Sequence, residues 1–268
     1  MRRLVVATAA VMVLTGCTHA PPDERASRPQ PAVEKYAETL STVRLDVGAH
    51  TAPPQGFERA DVLAFKRQIL ELMRRSLSSR TANLSLDAAY DYVTESLYAA
   101  TLDNVDDGLP DVFGNDWKAS LATTLGQRPV RPARLVTADW TTTSKPAELD
   151  DGTPSRTLTV RLDVHAVVTT GTDARPNTII LRRHILLRGF RPRGGPDWWP
   201  VLGFGTQNWG VNECESQAVD ALVPETDASE LRKQLVKARN SVNGLGPSQE
   251  PNTTLEDYRA FLASCAKN

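Results

Sequence analysis

Residues 157–190 read TLTVRLDVHAVVTTGTDARPNTIILRRHILLRGF. The first half alternates without a break. Leu158, Val160, Leu162, Val164, Ala166 and Val168 fall on one side, and Thr157, Thr159, Arg161, Asp163 and His165 on the other. A period of two sends successive side chains to opposite faces of an extended chain, so 156–169 is a strand with one buried face. Gly171 to Pro176 is a hairpin loop by composition, and 178–190 returns as a second strand. Pairing residues whose numbers sum to 347 sets Val160 opposite Leu187, Leu162 opposite Ile185, Ala166 opposite Leu181 and Val168 opposite Ile179. The apolar sides then coincide, as a half-buried antiparallel pair requires. Arg183 is the one misfit, since it shares the apolar side opposite Val164; its expected place is the sheet's rim.

Two further strands flank this hairpin, at 134–143 and 198–205, which makes a four-stranded antiparallel meander. The chain before it is helical. In 58–79, Val62, Phe65, Ile69, Leu72 and Met73 recur at helical spacing, with Asp61, Lys66, Arg67, Glu71, Arg74 and Arg75 on the remaining surface. A second helix at 86–102 starts behind Ser85, a favourable N-cap, and buries Leu86, Ala89, Tyr90, Val93, Leu97 and Ala100. A short helix at 116–125 follows, with Trp117 inward. After the strands, helices are expected at 225–240, capped by Thr226 or Asp227, and at 254–266. Helices first, then a meander, then helices again is an α+β architecture, not α/β.

The same register brings Asp163 opposite His184 and His165 opposite Arg182 on the polar face. An Asp–His pair can orient an imidazole as a general base. Ordinary cross-strand charge pairs on a solvated or helix-covered face are the expected reading, because no Ser, Cys or Lys nearby is marked as a nucleophile. A metal is not expected there: no fourth ligand is evident and Arg182 would repel a cation. Trp198, Trp199, Phe204 and Trp209 form the densest aromatic group, expected to be core, with a ligand pocket as the alternative. Asp103, Asp107 and Gly108 match three positions of a calcium loop, but Val105 and Gly114 stand where carboxylates belong, so a solvated loop is expected.

Composition excludes one class of function. With 31 basic and 32 acidic residues the chain has no excess of positive charge to hold a nucleic acid.

The N-terminal residues say more about place than about chemistry. Arg2 and Arg3 precede an apolar run from Leu4 to Leu14, and Leu14-Thr15-Gly16-Cys17 follows. This tetrapeptide resembles the lipobox of bacterial lipoprotein precursors. The resemblance implies cleavage between Gly16 and Cys17, a diacylglyceryl group on the Cys17 sulfur, and an anchor on the extracytoplasmic face of a cell membrane. The run is shorter than the roughly 20 residues of a membrane span. Cleavage would leave 252 of the 268 residues and, by removing two arginines and no acid, take the formal net charge from -1 to -3.

If lipid occupies Cys17, Cys214 and Cys265 remain, in an exported and oxidising setting. They are then the available intramolecular disulfide, with two separate buried thiols as the alternative. Residues 17–56, rich in Pro and Ala, read as a tether, although 33–46 has the pattern of a short helix or a helix and strand. The folded part is expected at 57–212, with 213–268 a helical extension packed on it. Long helices before a curved four-stranded meander are similar in layout to the NTF2-like cone fold, a class that hosts enzymes, ligand binders and assembly subunits alike.

The functional expectation is a membrane-anchored lipoprotein with a non-catalytic binding or assembly role in the cell envelope. Its partners would be the membrane, through Cys17, and an envelope protein; no nucleic acid and no cofactor are expected. The alternatives are a small-ligand pocket near His165, His184, Trp198 and Trp199, and a hydrolase or isomerase using Asp163 and His184.

Overall fold

The computed structural model describes residues 32–48, 52–97, 116–127, 129–148, 152, 154–172, 175–191, 199–244, 260–261 and 263–265. In chain order the elements are α1 (Ala32–Thr39), α2 (Arg59–Ser76), α3 (Ser79–Ala82), α4 (Leu86–Thr94) and α5 (Asp116–Leu121). Then come β1 (Pro129–Glu148), β2 (Pro154–Thr172), β3 (Arg175–Arg191), β4 (Trp199–Trp209), α6 (Glu213–Val219) and α7 (Ala228–Val242). The strands form one antiparallel sheet in the order β1-β2-β3-β4. The chain is therefore α+β, with a curved four-stranded meander between helices.

The β2–β3 register is the one the alternation predicts: Val160 pairs with Leu187, Leu162 with Ile185, Asp163 with His184 and His165 with Arg182. The strands run further toward the turn than the Gly-Pro composition implies. Thr172 still pairs with Arg175, which leaves only 173–174 between the strands. β1 slips register between Pro129 and Thr137. Each such irregularity bends the strand and increases its twist.

Both faces of the sheet are covered. On the first, Val62, Phe65, Ile69, Leu72 and Met73 of α2 and Leu86, Ala89, Tyr90 and Val93 of α4 pack on Leu158, Val160, Leu162, Val164, Ile185 and Leu187. A smaller cluster on the same face, Ala166, Val168, Ile179, Leu181 and Val211, closes its far end. On the second face, Val33 and Ala37 of α1 and Leu231, Leu235 and Ala238 of α7 pack on Val136, Val167, Ile180 and Trp209.

The second layer moves the start of the folded part from 57 back to α1. Val33 and Ala37 are 1% and 3% exposed, so part of the expected tether is core. Arg134 on β1 holds it there, donating from Nη1 to the Leu40 carbonyl at 2.7 Å and from Nη2 to the Ala37 carbonyl. A cation at the carbonyl end of a helix is electrostatically favourable. The following strap bonds to β1 through Val43 N–H and the Leu135 carbonyl, at 2.9 Å. Residues 17–31, the lipobox and the calcium-like loop of Asp103, Asp107 and Gly108 lie outside the described residues.

The turn after β4 is built by Gly210 and Gln234. Gly210 has φ +81°, and a Cβ there would meet the Thr178 carbonyl oxygen at 2.5 Å, so only glycine fits. The buried Gln234 of α7 accepts from Gly210 N–H at 2.6 Å and Val211 N–H at 3.1 Å, and donates to the Val211 carbonyl at 3.0 Å. One amide thereby satisfies three backbone groups that the strand's end leaves without sheet partners.

Candidate functional site

Asp163 projects from the middle of β2 on the second face. Its carboxylate accepts from Arg182 twice, at 3.0 Å from Nε and 2.7 Å from Nη2, and from Arg161 at 2.9 Å. Burial pulls its pKa upward, but the hydrogen bonds and charges of Arg182 and then Arg161 outweigh that and hold it below the ordinary carboxylate value. A carboxylate so stabilised as an anion is a weak base. His184 stands opposite it in register and is 8% exposed.

His165, two residues along the same face, is bonded at both ring nitrogens. Nδ1 lies 2.6 Å from Thr137 Oγ1 on β1, and Nε2 lies 2.8 Å from Ser241 Oγ in the last turn of α7. Its ring stacks on Trp209, with centroids 6.2 Å apart and planes 17° from parallel. Burial lowers its pKa to about 4, with the Arg182 charge acting the same way and Asp163 opposing it. A neutral imidazole with both nitrogens engaged joins sheet to helix, and has no lone pair directed at a substrate.

Arg183 is not at the rim. It is 1% exposed, on the first face, between the two apolar clusters. Three acceptors converge on Nη1: Ser76 Oγ at the end of α2, the Leu121 carbonyl at the end of α5 at 2.8 Å, and Thr123 Oγ1 at 2.6 Å. Nη2 reaches the Ala119 carbonyl at 3.5 Å. The guanidinium thus faces the carbonyl ends of two helices, where positive charge is favoured. Burial pushes its pKa down to about 9, which leaves it charged at neutral pH. Lys66, expected on the outer surface of α2, is also fully buried, its Nζ 4.9 Å from the centre of the Trp140 ring.

The aromatic group divides. Phe204 packs on the first-face core, and Trp209, an odd number of residues along β4, packs on the second. The structure therefore does not join them in one pocket. Trp198 lies outside the described residues, as does the side chain of Trp199. Among the described residues, no three His, Cys, Asp or Glu side chains converge where they could hold a metal ion. No described helix is long and apolar enough to cross a membrane.

Cys214 in α6 is bonded to Cys265 in the C-terminal helical residues, with Cα atoms 5.2 Å apart. The bridge ties the last part of the chain to the segment that follows β4. Thr137, Ser241, Arg134 and Gln234 carry the polar links between layers, and the sequence reading did not single them out. Their signal is weak, because each is an ordinary polar residue whose partner lies 23 or more positions away.

No protein-family model matches the chain, and no curated protein or solved structure matches it either.

Proposed function

We propose that the protein is an extracytoplasmic lipoprotein, anchored by lipid on Cys17, whose folded part binds or assembles with another envelope component and performs no catalysis. The observation that carries this reading is the Cys214–Cys265 bond. It commits two of the three cysteines to each other, suits an oxidising compartment, and leaves Cys17 of the lipobox for modification. A similarity of the folded part to the NTF2-like cone belongs to the same proposal, supported by helices that precede a curved meander.

The non-catalytic half rests on how the polar residues are used. Asp163 is held by two guanidiniums within the sheet and His165 by one hydroxyl of β1 and one of α7, so the groups nearest to an acid–base pair are engaged in bonds that brace the fold. The anchor is tested by fractionation. Wild-type protein should stay with membranes through a high-salt wash and enter detergent, and the mature chain carrying Cys17→Ser should do neither. Photo-cross-linking in intact envelopes tests the binding role. Discrete adducts should survive His184→Ala, whereas loss of cellular function in a folded His184→Ala protein would favour the hydrolase or isomerase.

A further inference from the structure

Helix α7 turns Leu231, Gln234, Leu235 and Ala238 toward the sheet. Its other side exposes Arg232, Lys233, Val236, Lys237, Arg239 and Asn240. At helical spacing Val236 lies on the centre line of that outer side. Arg232 and Arg239, seven apart, run along one flank, and Lys233 and Lys237, four apart, along the other. Val236 is 59% exposed, one of two large hydrophobic side chains so open among the described residues. Lys233 pairs with Glu230 at 3.0 Å, and Arg239 lies 5.0 Å over the Tyr36 ring of α1. Among the described residues, Arg232 and Lys237 have no carboxylate partner. A basic face with an apolar centre therefore sits on a chain whose formal net charge is -1.

We infer that the outer face of α7 docks on anionic lipid headgroups of the membrane that holds Cys17. The inference rests on the anchor proposed above and adds to it an orientation and a lipid class. Charge complementarity selects the occupant: two rows of basic groups match a sheet of phosphates, and Val236 between them faces the acyl boundary. Connectivity points the same way. α1 is the first described element after the anchor, and it packs beside α7 on the second sheet face. The 14 residues from 18 to 31 span at most about 50 Å when fully extended, a reach that allows this layer to touch the bilayer. Each Lys or Arg beside an anionic surface raises binding about fivefold, so the four together give a preference on the order of several hundredfold that is measurable without the lipid.

The test uses the mature chain that the lipobox implies, residues 17–268, carrying Cys17→Ser so that lipid contributes nothing. Sedimentation is measured with vesicles of phosphatidylcholine and with an equal mixture of phosphatidylcholine and phosphatidylglycerol. Binding should require phosphatidylglycerol and fall as salt is raised. R232Q/K237Q should weaken it about 25-fold, from the fivefold per charge above, with unchanged circular dichroism. Equal binding to both vesicles, or a double variant that binds like the parent, overturns the inference. So does binding to polyglutamate without binding to vesicles, which would assign the face to an acidic protein. Mass analysis of Cys17 in the natural protein reports on the anchor separately. A lipidated protein whose Cys17→Ser form ignores phosphatidylglycerol refutes the docking face alone.

Discussion

Arg183 donates to the hydroxyl of Ser76, and Ser76 donates in turn to the Leu121 carbonyl at 2.5 Å. One buried guanidinium therefore closes the ends of α2 and α5 onto β3. Arg183→Met fills much of the space but takes the guanidinium's bonds from Thr123 and Ala119 and leaves the Leu121 carbonyl with Ser76 alone. An unsatisfied buried polar group costs about 1–3 kcal/mol, so urea unfolding should show a loss of roughly 3 kcal/mol. A Met variant as stable as the parent would mean that desolvation of the charge cancels its hydrogen bonds.

His165 makes stability depend on mild acid. Its folded pKa, about 4, lies below its ordinary 6.5, so between those values the unfolded chain binds the extra proton. Stability therefore falls as pH drops through 6.5 and levels off near 4, by about 3 kcal/mol in total. Asp163 acts in a lower window. Its depressed pKa contributes stability above 3.8 that is lost only as pH falls through the folded value. Thermal unfolding from pH 7 to pH 4 should show the first slope in wild type, and His165→Asn should flatten it.

The disulfide closes a loop of 51 residues. Chain entropy sets its contribution at about 4 kcal/mol. Reduction, or the double change Cys214→Ser/Cys265→Ser, should lower the urea midpoint accordingly. The far-UV signal of the sheet should persist at low denaturant.

Gln234→Leu removes three hydrogen bonds from the turn after β4 and should cost about 3 kcal/mol. Gly210→Ala adds a clash at 2.5 Å to a backbone at φ +81°, so it should cost at least about 2 kcal/mol. If the Ala variant unfolds at the parent's midpoint, the close approach of β3 to this turn is wrong.

How much of this was legible varied by element. The hairpin loop at Gly171 to Pro176 sets the β2–β3 register and parity supports it, because a one-residue slip would move Val160 and Leu187 to the other face. The α2 stripe was equally plain, and all five of its predicted core residues are buried. The same parity puts Arg183 on the apolar face, but it does not distinguish the rim expected for it from the buried position it takes. Its acceptors belong to the ends of two helices 60 or more residues away, and no local pattern reveals them. α1 has only eight residues, too few for periodicity to outweigh its Pro-rich surroundings. The division between Phe204 and Trp209 was available, since five positions along a strand change faces. The polar face resembles an open site in the sequence because the helices that cover its far end, α1 and α7, lie near opposite ends of the chain.

The proposed anchor makes Cys17 the lipid-bearing N-terminus of the mature protein. Intact and peptide mass analysis of protein purified from its native membranes tests it most directly. The expected result is an N-terminal Cys17 carrying a thioether-linked diacylglyceryl group, with Cys214 and Cys265 in one disulfide-linked peptide pair. An unmodified Cys17, whether inside a longer chain or at a free N-terminus, would contradict it.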